Sequence, residues 1–241
     1  MKNNIIIYSY LGLGDHFICS GAVRKIYKEE DFDNLYLIIK KRDTKNIKFL
    51  YKDLNKLKLI KVKDDNEALS IVNNFEGKKF HHWWLNYDLS KTTYHEEEIY
   101  ASLGFSNSTR YDDFYLDRDN KKELDTFNKI INFNEPYTFI ADDPSREYTI
   151  DISKIPEYDC NIKTIKSSDL LEYTLFDLLK VIESAKDTHV MYSSFFILID
   201  CLSLNKIYLH NSYFKRNKIN PIESYGERMN RFLTYRNITH V

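Results

Sequence analysis

The stretch that decides the fold lies near the amino terminus, where residues 5–24 have the sequence IIIYSYLGLGDHFICSGAVR. Its first apolar run predicts a buried strand, and the run after the glycines predicts an apolar helix. The stretch holds three of the six glycines of the chain, which are Gly12, Gly14 and Gly21. Because glycine permits positive φ and close contact with a ligand, we interpret Gly12–His16 as a substrate-contacting loop. A tight turn with a helix-capping aspartate is the simpler alternative.

Strands and helices alternate along the first half of the sequence. Apolar runs predict strands at Asn4–Tyr10, Asn34–Lys40, Leu57–Val62 and Phe80–Leu85. Helical spacing and capping residues predict helices at His16–Glu29, at Asp43–Asp53, after Asp64 or Asp65, and at Thr93–Leu103, which Gly104 ends. This alternation implies parallel strands joined by right-handed crossovers.

The polar segment Phe105–Arg118 predicts a crossing between two lobes, residues 1–118 and 119–241. The second lobe repeats the alternation with helices at Asn120–Ile131, at Thr174–Ala185 and at Phe195–Leu204, and with strands at Tyr137–Ile140, Thr188–Tyr192 and Lys206–His210. We expect the tail to pack back across the molecule. The predicted fold class is α/β, with two Rossmann-like lobes of mainly parallel sheet.

Composition excludes several classes of protein. A hydrophobic fraction of 43% and an aromatic fraction of 15% exclude a disordered chain. The net charge of −1 argues against a dedicated nucleic-acid-binding protein. Cys19, Cys160 and Cys201 are far apart and lie among apolar residues, as is typical of buried, reduced thiols. The chain has no apolar stretch near the ~20 residues that cross a bilayer, so we expect a cytoplasmic protein.

Two groups of residues follow strands predicted in the second lobe. Asp142-Asp143-Pro144-Ser145-Arg146 comes directly after one strand, at the edge where open α/β sheets bind ligands. The two carboxylates could bind a divalent metal or pair with Arg146, and Arg146 could neutralise a diphosphate. Ser193-Ser194-Phe195 follows another strand and opens a helix, which favours an anion site or a plain serine cap. Glu183, on the preceding helix, is either a salt-bridging residue or a ribose ligand.

Three further groups have weaker signals. The side chains of His81-His82-Trp83-Trp84 alternate in direction along a strand, which disfavours a metal site. His95 and the three glutamates that follow it are more typical of a solvated helix face than of a metal site. Lys40-Lys41-Arg42 ends a strand, where it either attracts an anionic substrate or is simply solvated. Arg24 is either a buried ion-pair partner or a solvated charge.

The sequence resembles the GT-B glycosyltransferases, particularly the heptosyltransferase-like and fucosyltransferase-like branches. The resemblance is carried by Gly12, Gly14 and Asp15, followed by an apolar helix, and by Ser193-Ser194-Phe195 late in the chain. Small bacterial and phage proteins with a GLGDH start are similar over most of the chain. The chain lacks the third glycine of a dinucleotide fingerprint and the Gly-Lys-Ser/Thr of a phosphate-binding P-loop.

The resemblance implies an enzyme that transfers a hexose, deoxyhexose or heptose from a nucleotide-sugar to a glycan or lipid-linked acceptor in polysaccharide biosynthesis. Such an enzyme would need no metal and no cofactor, the nucleotide-sugar being its substrate. Asp15 or His16 would be the catalytic base. The donor-binding residues would be Gly12, Gly14, Asp142, Asp143, Arg146, Glu183, Ser193, Ser194 and Phe195.

Gly12–His16 would form the acceptor-side wall of a cleft between the lobes, and a lipid-linked acceptor would bring the protein to a membrane surface. We expect no nucleic-acid partner. Two other functions stay open: a non-catalytic nucleotide- or sugar-binding protein, and a Mg²⁺-dependent α/β enzyme acting on phosphates.

Overall fold

The computed structural model describes residues 3–8, 12–81, 95–132, 134–142, 149–150, 161–191, 193–202, 207–210 and 238–240. The chain divides into two compact units, Met1–Asp117 and Arg118–Val241. The boundary predicted from the sequence differs from this division by one residue.

The first unit is built on a parallel sheet of four strands in the order β3-β2-β1-β4. Its strands are β1 (Asn4–Tyr8), β2 (Asn34–Lys40), β3 (Leu57–Val62) and β4 (Lys78–His81). Ile5, Ile6, Leu35 and Leu37 are fully buried, because helices cover both faces of a parallel sheet. Phe80–Leu85 was expected as a strand; β4 begins two residues earlier, and residues 82–94 lie outside the described part.

Helices connect these strands and follow the last of them. They are α1 (Leu13–Ile18), α2 (Ser20–Glu29), a 3-10 helix (Lys41–Asp43), α3 (Thr44–Leu50), α4 (Asp65–Asn74), α5 (His95–Ser102) and α6 (Thr109–Asp112). The expected single helix from His16 to Glu29 is wrong, since helix formation starts at Leu13 and breaks at Cys19. The expected caps at Asp64 and Gly104 are confirmed: the Asp64 carboxylate accepts the N–H of Glu67, and Gly104 has a φ of +76°.

The segment predicted as an irregular crossing contains α6, which packs against α2. A Cβ at Gly21 in α2 would lie 2.1 Å from the carbonyl oxygen of Thr109. This glycine therefore serves close helix packing rather than the candidate loop.

The second unit has a parallel sheet of five strands in the order β6-β5-β7-β8-β9. Its strands are β5 (Tyr137–Ala141), β6 (Lys163–Lys166), β7 (Asp187–Met191), β8 (Ile207–His210) and β9 (Ile238–His240). Its helices are α7 (Asn120–Ile130), a 3-10 helix (Ser167–Asp169), α8 (Leu179–Ser184) and α9 (Ser194–Cys201). The helix expected from Thr174 starts only at Leu179, because Thr174 and Asp177 exchange hydrogen bonds in a turn before it.

Each sheet has a switch point, which is the place between two neighbouring strands whose following connections run to opposite sides of the sheet. In the first unit the switch lies between β1 and β4, and in the second between β5 and β7. Open α/β sheets bind ligands at such points, outside the carboxyl ends of the strands. The predicted α/β class with two Rossmann-like parallel lobes is confirmed.

Cys19 and Cys201 are buried, as expected, and neither forms a disulfide within the described residues; Cys160 lies outside them. In the part of the chain that the structure describes, no helix is both long and apolar enough to cross a membrane.

Candidate functional site

Gly12 and Asp15 form a hydrogen-bonded turn at the switch point of the first sheet. Gly12 precedes α1 with φ −78° and ψ 150°, a conformation open to any residue. Gly12 therefore does not use the positive φ that glycine permits. Its N–H donates to the Asp15 carboxylate over 3.1 Å, and a Cβ at Gly12 would lie 2.4 Å from that Oδ2. Glycine leaves room here for the Asp15 carboxylate to fold back onto the backbone, and a larger residue would displace that carboxylate. Gly14 lies one position before Asp15, in the first turn of α1.

His16 is buried, which corrects the expected position at the mouth of the loop. Its exposed fraction is 0%, and neither ring nitrogen forms a hydrogen bond with the described residues. Burial, assisted by the charge of Lys40, lowers the pKa of His16 to about 4. Because α1 starts three residues earlier than expected, His16 falls in its last turn and faces the core. The ring is neutral at pH 7 and is shielded from solvent.

Arg24 is a buried ion-pair partner rather than a solvated charge. Its guanidinium donates to both carboxylate oxygens of Asp53, over 2.6 and 3.0 Å, and to the carbonyl oxygen of Leu50 over 2.9 Å. Partial burial alone would raise the pKa of Asp53, but the hydrogen bonds and charge of Arg24 outweigh it, so that the pKa is lowered. Arg24 therefore joins α2 to the end of α3 and serves the fold.

Asp142 lies directly after β5, at the switch point of the second sheet. Its carboxylate is buried and accepts the N–H of Ile150 over 2.7 Å. One of its two oxygens thus holds the chain that follows the strand. Asp143 and Arg146 lie outside the described residues, so their placement stays a prediction.

Ser193 lies on the other side of the same switch point, as the residue before α9. Its hydroxyl is shielded from solvent, caps no helix N–H, and forms no hydrogen bond within the described residues. Ser194 is the first residue of α9, and Phe195 packs on Phe139 with ring centroids 6.2 Å apart. Of the expected donor-binding residues, the structure brings Asp142, Ser193 and Ser194 to one edge and gives Phe195 a packing role.

Two histidines that the sequence analysis left without a role lie beside this edge. His189 in β7 and His210 in β8 share a hydrogen bond of 2.9 Å between Nδ1 and Nε2, and His189 stacks on Tyr208. Burial, followed by the charge of His210, lowers the pKa of His189 to about 4. Burial also lowers the pKa of His210, although the carboxylate of Asp142 opposes that shift. Period-two alternation along both strands is the sequence signal that could have paired them.

Glu183 lies away from this edge. It lies in the last turn of α8, four residues before β7 starts, and the backbone N–H of Lys186 donates to the carbonyl oxygen of Tyr137 at the beginning of β5. Glu183 is therefore at the amino edge of the sheet, where it forms an ion pair with Arg118. Of the two roles expected for Glu183, the structure shows the salt bridge. Glu183 and Ser193 lie at opposite edges of the sheet, so they do not form one ribose site.

Metal ligation finds no support in the described residues, where no three His, Cys, Asp or Glu side chains cluster suitably. His81 ends β4, whereas His82, Trp83 and Trp84 lie outside the described residues. His95 begins α5.

The comparisons with known proteins point to the fold. No family model and no curated protein matches the sequence. The glycosyl transferase family 9 structure from Veillonella parvula DSM 2008 matches with a TM-score of 0.53 at 8% identity, over 87% of this chain and 80% of that one. The structure of E. coli ADP-heptose lps heptosyltransferase II matches with a TM-score of 0.45 at 7% identity, over 86% and 84%. At such identity the first match shows that this chain has the fold of a glycosyltransferase.

Proposed function

We propose that the protein is a glycosyltransferase that moves a sugar from a nucleotide-sugar to a hydroxyl of a glycan or lipid-linked acceptor, without a metal ion. The observation that carries the proposal is the hydroxyl of Ser193 at the start of α9, which is shielded from solvent and forms no hydrogen bond within the described residues. It lies at the switch point of a parallel sheet, where such folds bind nucleotides. The shared fold with a family 9 glycosyltransferase supports the same reaction class.

The second unit binds the donor. A buried hydroxyl without a partner costs free energy, which a ligand oxygen would recover. The first N–H groups of α9 are unpaired within the helix and favour an anion such as a diphosphate. Ser193 and Ser194 thus hold the diphosphate, while Arg146, outside the described residues, neutralises the negative charge of the departing diphosphate.

The first unit supplies the base. Asp15 is a better candidate than His16, because Asp15 is partly exposed whereas the His16 ring is buried. The hydrogen bond from Gly12 holds the Asp15 carboxylate in place. A base must reach the proton that it removes, and of these two residues the partly exposed Asp15 is the better placed to do so.

The reaction balances without a metal. The acceptor hydroxyl gives its proton to Asp15, and its oxygen bonds to the anomeric carbon of the donor sugar. The bond between that carbon and the diphosphate oxygen breaks, and its electron pair leaves with the nucleoside diphosphate. Hydrogen bonds from Ser193 and the start of α9 stabilise the charge that develops there.

A ligand-binding experiment tests the proposal. The full chain and its Ser193→Ala variant are titrated by calorimetry with a panel of nucleotide-sugars, with and without Mg²⁺. Since the Ser193 hydroxyl caps no helix N–H, we expect the variant to keep its melting temperature but to bind the nucleotide-sugar about tenfold more weakly. Ser70→Ala, at an exposed position on α4, is the matched control and should bind normally.

Three outcomes would contradict the proposal. Binding that strictly requires Mg²⁺ would favour an enzyme acting on phosphates. Tight binding without sugar transfer or hydrolysis would favour a non-catalytic binding protein. Equal affinity of the wild type and the Ser193→Ala variant would remove Ser193 from the donor site.

A further inference from the structure

A groove of about 830 Å³ lies at the carboxyl ends of β2 and β3 in the first unit. Its volume falls within the range of small-molecule sites. It is lined by Lys40, Lys41, Arg42, Lys61, Val62, Lys63, Asp64 and Glu67. We call it the β2–β3 groove.

The β2–β3 groove is strongly cationic. Five of its lining side chains are basic and two are acidic. Both acidic residues are engaged at the start of α4: Asp64 accepts the N–H of Glu67 over 3.0 Å, and Glu67 accepts the N–H of Lys63 over 2.7 Å. Both carboxylates keep their charge and offset part of the positive charge, so the lining as a whole remains net positive.

Three of the basic side chains have no partner within the described residues: Lys41, Lys61 and Lys63. Lys40, by contrast, pairs with Asp65 over 3.6 Å, and Arg42 pairs with Asp43 over 3.3 Å. Like charges grouped around one groove repel each other and concentrate counter-ions there. A bound anion would remove this repulsion, whereas a neutral ligand would not.

The groove lies next to the base proposed above. β1 and β2 are parallel neighbours, so that Lys40 at the end of β2 lies beside the end of β1, which leads to Gly12–Asp15. Lys40 is close enough for its charge to lower the pKa of His16, after the larger effect of burial. An acceptor that reached Asp15 with its hydroxyl could therefore place another group in the groove.

We infer that the β2–β3 groove binds a phosphate carried by the sugar acceptor, an inference that rests on the proposed function. A phosphate monoester carries up to two negative charges and three acceptor oxygens, which suits several ammonium groups around one site. A neutral glycan would leave the three lysines unpaired. The substrate class is thus a phosphorylated saccharide, either free or joined to a lipid.

A binding experiment that needs no turnover tests the groove. The ¹⁵N-labelled full chain is titrated with glucose 6-phosphate, with glucose and with inorganic phosphate, and amide shifts are followed by NMR. We expect glucose 6-phosphate to shift amides at the ends of β2 and β3, and glucose to shift none of them. The affinity should fall as salt increases, because the contacts are between charges.

The variant and its control carry the same change of charge. Lys41→Gln, Lys61→Gln and Lys63→Gln combined should weaken glucose 6-phosphate binding at least about tenfold. Lys121→Gln, Lys129→Gln and Lys180→Gln combined change exposed lysines of the second unit and should leave the affinity unchanged. The single Lys61→Gln variant, which disturbs the surface least, should show a smaller loss in the same direction.

Several results would overturn the inference: equal losses in both triple variants, shifts away from the groove, or binding to phosphatidylglycerol vesicles with none to the sugar phosphate. Inorganic phosphate binding as tightly as glucose 6-phosphate would also overturn it, since the sugar would then contribute nothing. A phosphosugar attached to a lipid and mixed into neutral vesicles distinguishes a lipid-linked acceptor from a free one.

Nucleotide-sugar binding, glucose 6-phosphate binding and sugar transfer, measured separately, distinguish failure of one proposal from failure of the other. If Ser193→Ala leaves nucleotide-sugar affinity unchanged while the groove variant loses glucose 6-phosphate, the proposed function fails and the groove remains an anion site. If transfer occurs equally well to neutral and phosphorylated acceptors in the groove variant and in the wild type, the groove inference fails and the transferase stands.

Discussion

At the carboxyl edge of the first sheet, five basic side chains surround a groove, whereas the same edge of the second sheet includes the polar side chains of Asp142, Ser193, Ser194 and His210. Both edges follow from the same parallel architecture. The first is suited to attracting charge over a distance, and the second to directional hydrogen bonds. Similar folds thus support two different kinds of recognition, because function depends on the side chains placed at the switch points.

A buried histidine near each edge extends the comparison. His16 in the first unit has no hydrogen bond to its ring within the described residues, whereas His189 in the second unit bonds to His210. A buried polar group without a partner costs about 1–3 kcal/mol, and a paired one costs far less. The buried His16 of the first unit therefore costs stability, whereas the hydrogen bond to His210 offsets most of that cost for His189 in the second unit.

The largest effect that we expect tests the assignment of catalysis to the first unit. Asp15→Asn keeps an oxygen that accepts the Gly12 N–H but removes the base, so kcat should fall about 10²–10⁴-fold. The dissociation constant of the nucleotide-sugar should stay the same, because the donor is assigned to the second unit. Transfer of a radiolabelled sugar measures the first quantity and calorimetry the second.

Gly12→Ala is a milder version of the same test. The backbone conformation at Gly12 suits alanine, but the added Cβ displaces the carboxylate of Asp15. Transfer should drop while the fold persists. Full activity in Asp15→Asn would instead return His16 to consideration as the base, despite its burial.

The next largest effect that we expect is a loss of stability at acidic pH. The pKa of His16 is about 4 in the folded chain, below its ordinary 6.5, so the unfolded chain binds more protons between these values. Stability should therefore be lost as the pH falls from about 6.5 to about 4, by about 3 kcal/mol in the first unit. Hydrogen exchange at the amides of β1 and β2, followed across this pH range, measures the loss in the first unit.

His16→Leu is the matched control for the acid effect. It removes both unpaired ring nitrogens, so we expect about 1 kcal/mol more stability at pH 7 and a weaker dependence on pH. A variant that is less stable at pH 7 would show that the His16 ring has a partner in the native protein.

Sequence patterns predicted the bounds of β2 and β3 but missed both edge strands of the second sheet. β2 lies inside the first sheet and is largely buried, so its apolar run marks the strand, whereas β3 is a partly buried edge strand whose run still coincides with its bounds. β6 and β9 were missed, since both are short edge strands, and β6 is only partly buried and carries Lys163 and Lys166 at its ends. Such strands exist because a neighbour pairs with them, which a local pattern does not record.

The candidate site shows the same limit. Glycine and aspartate at the first switch point were recognisable because a strand, a turn and a helix are contiguous in sequence. The His189–His210 contact joins residues on different strands and depends on their register. His16 is buried because α1 starts three residues before the position expected from the sequence. Capping patterns do not define a helix start to within a few residues.

The third prediction breaks the paired histidines of the second unit. His210→Ala leaves His189 buried without its hydrogen bond, which should cost the second unit about 1–2 kcal/mol. Hydrogen exchange at the amides of β7 and β8 measures this loss, while exchange at the amides of β1 and β2 in the first unit is the control and should not change. His210→Gln can still hydrogen-bond and should recover part of the stability; no recovery would point to the ring packing of His210 instead.

The smallest loss of stability that we expect comes from a substitution at the amino edge of the second sheet. Arg118 pairs with the partly exposed Glu183 and with the buried Glu123, and these two pairings hold the pKa of Arg118 above its usual range. Glu183→Gln should cost about 0.2–1 kcal/mol, because solvent screens a partly exposed pair. Glu123→Gln should cost more, because Glu123 is buried and its replacement leaves the guanidinium of Arg118 without that carboxylate.

Neither variant should change the affinity for a nucleotide-sugar, because both ion pairs are remote from Ser193 at the opposite edge. Calorimetry checks this affinity. A weaker affinity in Glu183→Gln alone would extend the donor site to the amino edge of the sheet and remove the distinction between the two edges.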